Sequence, residues 1–146
     1  MAHTNHVMKV DIVDSEAQIF SGEAEFLVAP ASEGEIGVYP HHIALISKLK
    51  PGVLRLQLPN EQFQLVFAIS GGFMEVKSNH VTILADILQR TEALDEAKVI
   101  EQKNIAKSRL KNAEHNDKRE LAKAHAALEI AIAQLKAVEY IKKHRV

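Results

Sequence analysis

The sequence predicts a mixed β-then-α chain: an N-terminal antiparallel β-sandwich over residues 1–88, followed by a C-terminal antiparallel two-helix hairpin over residues 89–146. Apolar side chains in the first part recur with a period of two between short turn signals, which is typical of strands. Residues 91–145 contain no Gly and no Pro, and good helix formers dominate them. The charge divides at the same place, because the first part carries five Lys and Arg against ten Asp and Glu, and the second carries thirteen against nine.

Strands are predicted by four alternating runs, at residues 8–12, 24–28, 63–69 and 81–87. Several of these runs have apolar residues on both faces, as strands between two stacked sheets do. The turn signals between them are Ser21-Gly22, residues 34–37, Pro51-Gly52, Pro59-Asn60, Gly71-Gly72 and Ser78-Asn79. Many short strands separated by turns indicate a sandwich or a barrel.

Two helices are predicted on either side of a break at residues 115–117. Asp117 can cap the second helix through its carboxylate, with Glu120 at the third helical position. An apolar stripe at spacings of three and four marks one face of the second helix; it consists of Leu121, Ala124, Leu128, Ala131, Leu135 and Val138. A weaker stripe on the first helix consists of Ala97, Ile100, Ala106, Leu110 and Ala113.

Docking of the hairpin on the sandwich is predicted to be weak, because the stripes are rich in Ala. At about 25 cal/mol per Å² of buried apolar area, an Ala contributes well under half of what a Leu does. A helix pair that is stable by itself and loosely docked is a candidate two-state switch. The alternative is an ordinary amphipathic hairpin that never leaves its dock.

Composition narrows the classes of function. Apolar residues make up 47% and charged residues 25% of the 146, as in ordinary globular proteins. The sequence has no cysteine, which excludes a disulfide, a thiol nucleophile or a cysteine-ligated zinc. No apolar run approaches the roughly 20 residues that span a bilayer, so direct membrane insertion is not expected. The balance of +4 in the second part is too mild to favour a nucleic-acid partner.

Motifs of catalysis are missing from the sequence, which has no phosphate-binding Gly-rich loop, no G-x-S-x-G elbow and no H-E-x-x-H. His41 and His42 form the densest polar cluster, but neighbouring side chains on a strand point to opposite faces and are badly placed to share a metal. Glu33 and Glu35 lie in a Gly-flanked loop, either as a solvated face or as a docking surface for a basic partner. A metal- or carboxylate-dependent enzyme built on these four residues would need a pocket that nothing nearby predicts, so neither an enzyme nor a metal site is expected.

Several motifs, in the same order along the chain, resemble those of the epsilon subunits of bacterial F-type ATP synthases. The most specific is S-E-G-E-I-G-V-Y-P-H-H-I-A-L at residues 32–45, where the family pattern is S-E-G-E-L-G-I-Y-P-G-H-x-P-L. The other matches are K-P-G at 50–52, Q-I-F-S-G at 18–22, S-G-G-F-M-E-V at 70–76, V-T-I-L-A-D at 81–86, L-D-E-A at 94–97 and A-I-A-Q-L at 131–135. The resemblance spans essentially the whole chain.

This resemblance implies a non-catalytic rotor subunit in the central stalk of a proton-translocating F-type ATP synthase. The sandwich would bind the gamma subunit and sit on the polar loops of the c-ring, with Glu33, Glu35 and His42 as contact residues. The implied partners are gamma, the c-ring and the alpha/beta catalytic head. The implied location is the cytoplasmic face of the bacterial inner membrane, peripheral through the complex. An acidic first part suits a basic partner such as the c-ring loops.

The resemblance also implies two placements of the helical part. Folded on the sandwich, it permits rotation; extended into the catalytic head, it blocks ATP hydrolysis. Its candidate contacts with an acidic segment of the beta subunit are Arg109, Lys111, Lys118, Arg119 and Lys123. For any one of them a solvated helix face is an equal alternative, and for the whole part the alternative is a purely structural coupling subunit without an inhibitory switch.

A nucleotide motif of some family members, I/L-D-x-x-R-A, is matched only in part. Leu94 and Asp95 fit, but Lys98 stands where Arg is expected and Val99 where Ala is expected. Lysine lacks the planar fork that binds phosphate in bidentate fashion, and Val adds bulk. These departures predict weak ATP binding or none, and no cofactor.

Another class of function remains open beside these: a generic adaptor that joins a sandwich and a helical hairpin to an unrelated complex. Co-purification in fixed ratio with ATP synthase subunits would separate the two. Within the family, the polar start of the sequence lacks a transit segment, which disfavours a mitochondrial counterpart. The sequence does not exclude a plastid-encoded one.

Overall fold

The computed structural model describes residues 6–112 and 117–145. Strands come first in the chain, and a 3-10 turn at Thr91–Ala93 leads into two helices, α1 (Glu96–Asn112) and α2 (Lys118–His144). The strands are β1 (Met8–Val13), β2 (Gln18–Ala24), β3 (Phe26–Ala31), β4 (Gly34–Val38), β5 (Leu45–Leu49), β6 (Gly52–Gln57), β7 (Leu65–Ile69), β8 (Gly72–Lys77), β9 (His80–Ala85) and β10 (Leu88–Arg90). No helix within the described ranges is both long enough and apolar enough to cross a membrane.

The strands form two layers that meet at one narrow pairing. Hydrogen-bonded neighbours follow the order β10-β7-β6-β3-β5-β8-β9-β1-β2, with β4 on the other edge of β3. The path is narrowest between β3 and β5, where Ala31 pairs with Leu49. One layer therefore holds β10, β7, β6, β3 and β4, and the other holds β5, β8, β9, β1 and β2. This arrangement confirms the predicted sandwich followed by two helices.

One pairing departs from the antiparallel pattern: β1 lies parallel to β9. The other strand pairs of the described chain are antiparallel. A parallel neighbour requires a long connection between the two strands. Here that connection builds most of the sandwich before β9 returns beside β1. The alternation of apolar residues in β1 and β9 is the same for either direction, so the sequence could not reveal this pair.

A single apolar core fills the space between the layers. Both layers contribute to it, and the largest side chains that are almost fully buried include Phe67, Met8, Ile12, Leu27, Leu54 and Ile83. Each such side chain contributes roughly 1.5–3 kcal/mol by leaving water. None of the described helix residues belongs to this core.

Strand boundaries differ from the predicted runs in two places. The run at 24–28 is split, because β2 ends at Ala24 and β3 begins at Phe26, while the Glu25 amide donates to Gln57 O at 2.7 Å. The run at 63–69 enters the sheet only at Leu65. The two residues before it, Phe63 and Gln64, contact the end of α2 and do not pair in the sheet.

Two turns depend on backbone conformations that most residues avoid. Ser78 and Asn79 both have positive φ, 52° and 60°, as a two-residue turn between β8 and β9 requires. Gly72 has φ of 140°, and a Cβ added there would lie 2.0 Å from Leu84 O. Only glycine fits at this position, where β8 pairs closely with β9.

The helices pair with each other, and α2 lies on β6 and β7. The Glu120 amide donates to Asp117 Oδ1 at 3.2 Å, which confirms the predicted cap of α2. Residues 115–116 of the predicted break, and Ala113 of the first stripe, lie outside the described residues. The stripe of α2 is confirmed in part, since Ala124 and Ala131 are buried and its four larger members half-buried.

The stripe predicted for α1 is wrong at its start. Ala97 and Ile100 are exposed, and Val99 is buried instead. Asp95 caps this helix, because the Ala97 amide donates to Asp95 Oδ1 at 3.0 Å and the Val99 amide to Asp95 O at 3.0 Å. These two bonds fasten the first turn of α1, in which Val99 is the buried residue.

Candidate functional site

The acidic turn, defined as residues 33–35, joins β3 to β4 at the edge of the first layer. Glu33 is exposed at its tip, and Gly34 follows with φ of 130°. Glu35 stands on β4, and its Oε2 accepts from Arg55 Nη2 on β6 at 3.1 Å. The side chain of Glu35 is 60% exposed, so a basic partner from solvent can reach the carboxylate.

His42 lies in the loop that follows β4. It is half-buried, with Nδ1 2.8 Å from Ile43 O. The preceding residue, His41, has φ of 65° and donates its amide to Asn79 Oδ1 at 2.9 Å, which ties this loop to the turn between β8 and β9. Within the described ranges, no hydrogen bond or ion pair joins His42 to Glu33 or Glu35, and no group of three or more His, Asp or Glu is placed to hold a metal.

An apolar patch that sequence analysis missed lies on the outer face of the second layer, beside the charged residues Lys48 and Glu75. Its members are Ile46 on β5, Phe73 on β8 and Leu84 on β9, which are 74%, 53% and 54% exposed. Phe73 and Leu84 are direct cross-strand partners. Exposed apolar patches on a sheet mark interaction surfaces. The alternating pattern did not single these residues out, because they occupy the outward phase of strands whose inward phase is also apolar.

The dock of α2 is the area where its last turns rest on β7, and its apolar part is small. Ala137 is buried against Val66 and Ala68, with half-buried Tyr140 and Ile141 beside them. Every residue of β7 is buried, so this strand is covered on both faces. Alanine at the centre lets the helix approach closely but removes little apolar area from water.

Polar groups surround the apolar part of the dock. Tyr140 OH donates to Gln64 Oε1 at 2.5 Å, and Arg145 Nη2 donates to Gln64 O at 2.5 Å. Arg145 Nη1 also donates to Glu92 Oε1 at 2.8 Å. Partial burial raises the pKa of the Glu92 carboxyl. The hydrogen bond and the charge of Arg145 lower this pKa by more than burial raises it, so it lies below its ordinary value. The last residues of α2 are therefore held by pairings that water can compete for.

Two more contacts extend the dock along the helices. Lys142 pairs with Glu96 at the start of α1, and Gln134 donates to Gln89 on β10. Both pairs are side chain to side chain. An exposed ion pair such as Lys142–Glu96 contributes about 0–1 kcal/mol, so this pair orients α2 more than it holds it.

The basic residues predicted to contact a catalytic head lie at the opposite end of the hairpin from the dock. They are Arg109 and Lys111 in the last turns of α1, and Lys118, Arg119 and Lys123 in the first turns of α2, and all five are exposed. Lys123 lies 3.9 Å from Glu120, one turn along the same helix. The other four form no ion pair with a described residue. The structure brings these five residues to one end of the hairpin, and whether they contact a partner stays a prediction.

The residues of the partial nucleotide motif lie in three different surroundings. Leu94 packs beside the dock, Asp95 caps α1 as described, and Lys98 is exposed. A cleft of about 360 Å³ between α1 and α2 is lined by other residues, among them Ile105, Arg109, Ile130 and Gln134. The binding of ATP stays untested by this geometry.

Asp11 on the outer face of β1 connects three strands. Ser21 Oγ donates to its Oδ1 at 2.6 Å, and His80 Nε2 lies 2.5 Å from its Oδ2. The hydrogen bond from Ser21, and after it that from His80, hold the pKa of Asp11 below its ordinary value. The carboxylate lies between the hydroxyl and the imidazole, so it separates the two groups that would have to meet in a nucleophilic triad. The cluster stabilises the pairing of β1 with β2 and β9.

Comparison with known families gives two matches that together span most of the chain. The family described as ATP synthase, Delta/Epsilon chain, beta-sandwich domain, matches residues 7–91. The family described as ATP synthase, Delta/Epsilon chain, long alpha-helix domain, matches residues 92–139. The two parts of the fold therefore correspond to two described domains in the same order.

Curated relatives carry the name ATP synthase epsilon chain. The protein named ATP synthase epsilon chain from Chromobacterium violaceum is 54% identical over 136 residues, covering 93% of this chain and 96% of the relative. The ATP synthase epsilon chain from Laribacter hongkongensis is 47% identical over 136 residues, which again cover 93% of this chain and 96% of the relative. The epsilon chain of Neisseria meningitidis serogroup C is 44% identical over 95% of this chain and 98% of its own.

Solved structures show the same fold at low sequence identity. A chain in the Euglena gracilis mitochondrial ATP synthase, OSCP/F1/c-ring, superposes with a TM-score of 0.79 at 21% identity, over 91% of this chain and 82% of that one. A chain in the central stalk/c-ring of Tetrahymena thermophila mitochondrial ATP synthase superposes with a TM-score of 0.56 at 17% identity, over 90% of this chain and 96% of that one. These two likenesses concern the fold.

Proposed function

The chain belongs to the ATP synthase delta/epsilon family, and from that premise we propose that it is a rotor subunit in the central stalk of a proton-translocating F-type ATP synthase, where its helices restrain ATP hydrolysis. As an epsilon chain it is an accessory subunit of the complex and not an enzyme. The observation that carries the proposal is the dock of α2. Three small buried residues and a set of water-accessible pairings hold the helix on a sandwich that has its own core.

The sandwich is proposed to join gamma to the c-ring. Its outer apolar patch of Ile46, Phe73 and Leu84 offers the kind of surface that buries against a large subunit such as gamma. The acidic turn with Glu33 and Glu35, and the loop with His42, would meet the c-ring. A first part with twice as many acidic as basic residues favours a basic partner there. These contacts would place the chain at the cytoplasmic face of the bacterial inner membrane.

The helical part is proposed to exchange between the docked form and a form extended toward the alpha/beta head. Release breaks the pairings of Tyr140, Arg145 and Lys142 but leaves the sandwich core untouched. The exposed cations Lys118, Arg119 and Lys123, with Arg109 and Lys111 beside them, would then meet an acidic segment of beta. Such exposed pairs steer the association more than they strengthen it.

A second candidate function keeps the same partners but no switch. It is favoured by the number of different groups that fasten the end of α2, since Gln64 alone accepts from both Tyr140 and Arg145. In that case the hairpin stays docked and the chain only couples gamma to the c-ring. In both candidate functions the dock of α2 forms without a bound nucleotide. Titration of the wild-type chain with ATP tests this point.

Hydrolysis by a catalytic head that carries gamma separates the two candidates. Full-length chain is compared with a chain ending at Ala93, which keeps β10 and the hydrogen bond from Thr91 Oγ1 to Val66 O at 2.9 Å. We expect the shortened chain to bind the head and to raise the rate of ATP hydrolysis above that with the full chain. Equal rates would favour the coupling function, and failure of both chains to bind would overturn the rotor assignment.

A further inference from the structure

Arg55 on β6 contacts two features that are otherwise far apart in the chain. Its Nη2 donates to Glu35 of the acidic turn at 3.1 Å, and its Cζ lies 4.7 Å from the centroid of the Tyr140 ring at the end of α2. The register explains how one side chain reaches both. Arg55 and the β4 residue Gly37 both pair with Val28, so Glu35, two positions from Gly37, shares the outer face on which α2 lies.

The position of the guanidinium depends on these two contacts. Its Nε is buried and has no hydrogen-bond partner among the described residues, and the side chain is 20% exposed. Among the described residues, Glu35 is the one hydrogen-bond and ion-pair partner of the Arg55 side chain, and its unpaired Nε adds no anchor. The carboxylate of Glu35 on one side and the ring of Tyr140 on the other therefore set where the charge sits.

Tyr140 carries the effect into the dock. Its hydroxyl donates to Gln64, whose backbone oxygen accepts from Arg145, and its ring stacks on His144 with centroids 4.0 Å apart. A shift of the Tyr140 ring thus reaches the residues that fasten the end of α2. Glu35 itself makes no hydrogen bond or ion pair with α2 within the described ranges.

We propose that Arg55 is a positioning residue that couples the acidic turn to the dock of α2, so that a basic group binding Glu35 loosens the helix. An incoming Lys or Arg competes for the Glu35 carboxylate and leaves Arg55 free to move off the Tyr140 ring. Breaking this cation–π interaction changes the ratio of open to docked chains about two- to fivefold. Only the identity of the basic partner rests on the proposed function; the coupling itself is a property of the single chain.

The test is a mutant cycle on the isolated full-length chain. Because the sequence has no cysteine, a donor and an acceptor dye can be placed on cysteines introduced at the exposed positions Ser15 and Lys143 to report release of α2. We expect Glu35→Gln to raise the open-to-docked ratio about two- to fivefold, and Glu33→Gln, the matched control in the same acidic turn, to leave it unchanged. In an Arg55→Met background, Glu35→Gln should have no effect.

Two further variants separate positioning from simple loss of structure. Arg55→Lys keeps the charge but loses the planar fork, so it should fall between wild type and Arg55→Met. Tyr140→Phe keeps the ring and removes only the bond to Gln64, so Glu35→Gln should retain its effect there and lose it with Tyr140→Leu. The coupling is overturned if Glu35→Gln acts equally with and without Arg55, or does nothing in the wild-type chain. Neither result would change the outcome of assembly with gamma and the c-ring, which tests the rotor assignment separately.

Discussion

The core of the sandwich and the dock of α2 are both apolar, but they are built differently. Nineteen buried residues from both layers make one core, whereas the cluster at the dock contains three, two of them Ala. Hydrophobic stabilisation follows the area removed from water, so most of the free energy of folding belongs to the sandwich. The comparison teaches that few buried side chains join α2 to a sandwich that has a core of its own, which is the difference that the proposed switch requires.

The largest effect is expected from a cavity in the sandwich core. Phe67 is 1% exposed, and Phe67→Ala should lower the free energy of unfolding by about 3–5 kcal/mol, measured by urea titration. Phe73→Ala, at an exposed position on β8, is the matched control and should change it by less than about 1 kcal/mol. Similar losses at both positions would contradict the assignment of the core.

A smaller and more selective effect is expected at the dock. Ala137 is fully buried against β7, so Ala137→Leu overpacks the contact at a cost of about 1–3 kcal/mol. We expect α2 to be released, with faster amide hydrogen exchange in its last turns, while exchange in β1 and β9 stays slow. Ala126→Leu, on the exposed face of the same helix, should release nothing. Loss of protection throughout the sandwich would show that dock and core are one cooperative unit.

The smallest effect is expected from pH. The pKa of Glu92 is lowered in the folded chain, so its pairing with Arg145 contributes at pH values above the ordinary carboxyl range and is lost as the pH falls through the lowered pKa. The ratio of open to docked chains should therefore rise on acidification below about 4.5, measured with the dye pair at Ser15 and Lys143. Glu92→Gln should flatten this rise. Asp11→Asn in the sandwich should leave it in place, although Asp11 also titrates in this range.

For much of the candidate site, the sequence predicted which residues belong to it but not which of them contact each other. The acidic loop residue Glu35 and the basic residues of the hairpin were chosen from the sequence as contacts, and the structure leaves them exposed. Arg55, Gln64 and Tyr140 were not chosen, because each is an ordinary residue within its own strand or helix. The apolar patch with Phe73 was missed for another reason: a strand that is apolar on both faces does not say which face is covered.

The sequence by itself determined the two kinds of element, the cap at Asp117 and the order of the domains. Periods of two and of 3.6, and the residues that cap or break them, are properties of a few neighbouring residues. Only the tertiary structure decided that β1 runs parallel to β9, that α2 rests on β7, and that Gln64 meets Tyr140 and Arg145 across 76 and 81 positions. Such contacts depend on how whole layers pack, and packing is selected by the summed burial of many side chains, which no local pattern encodes.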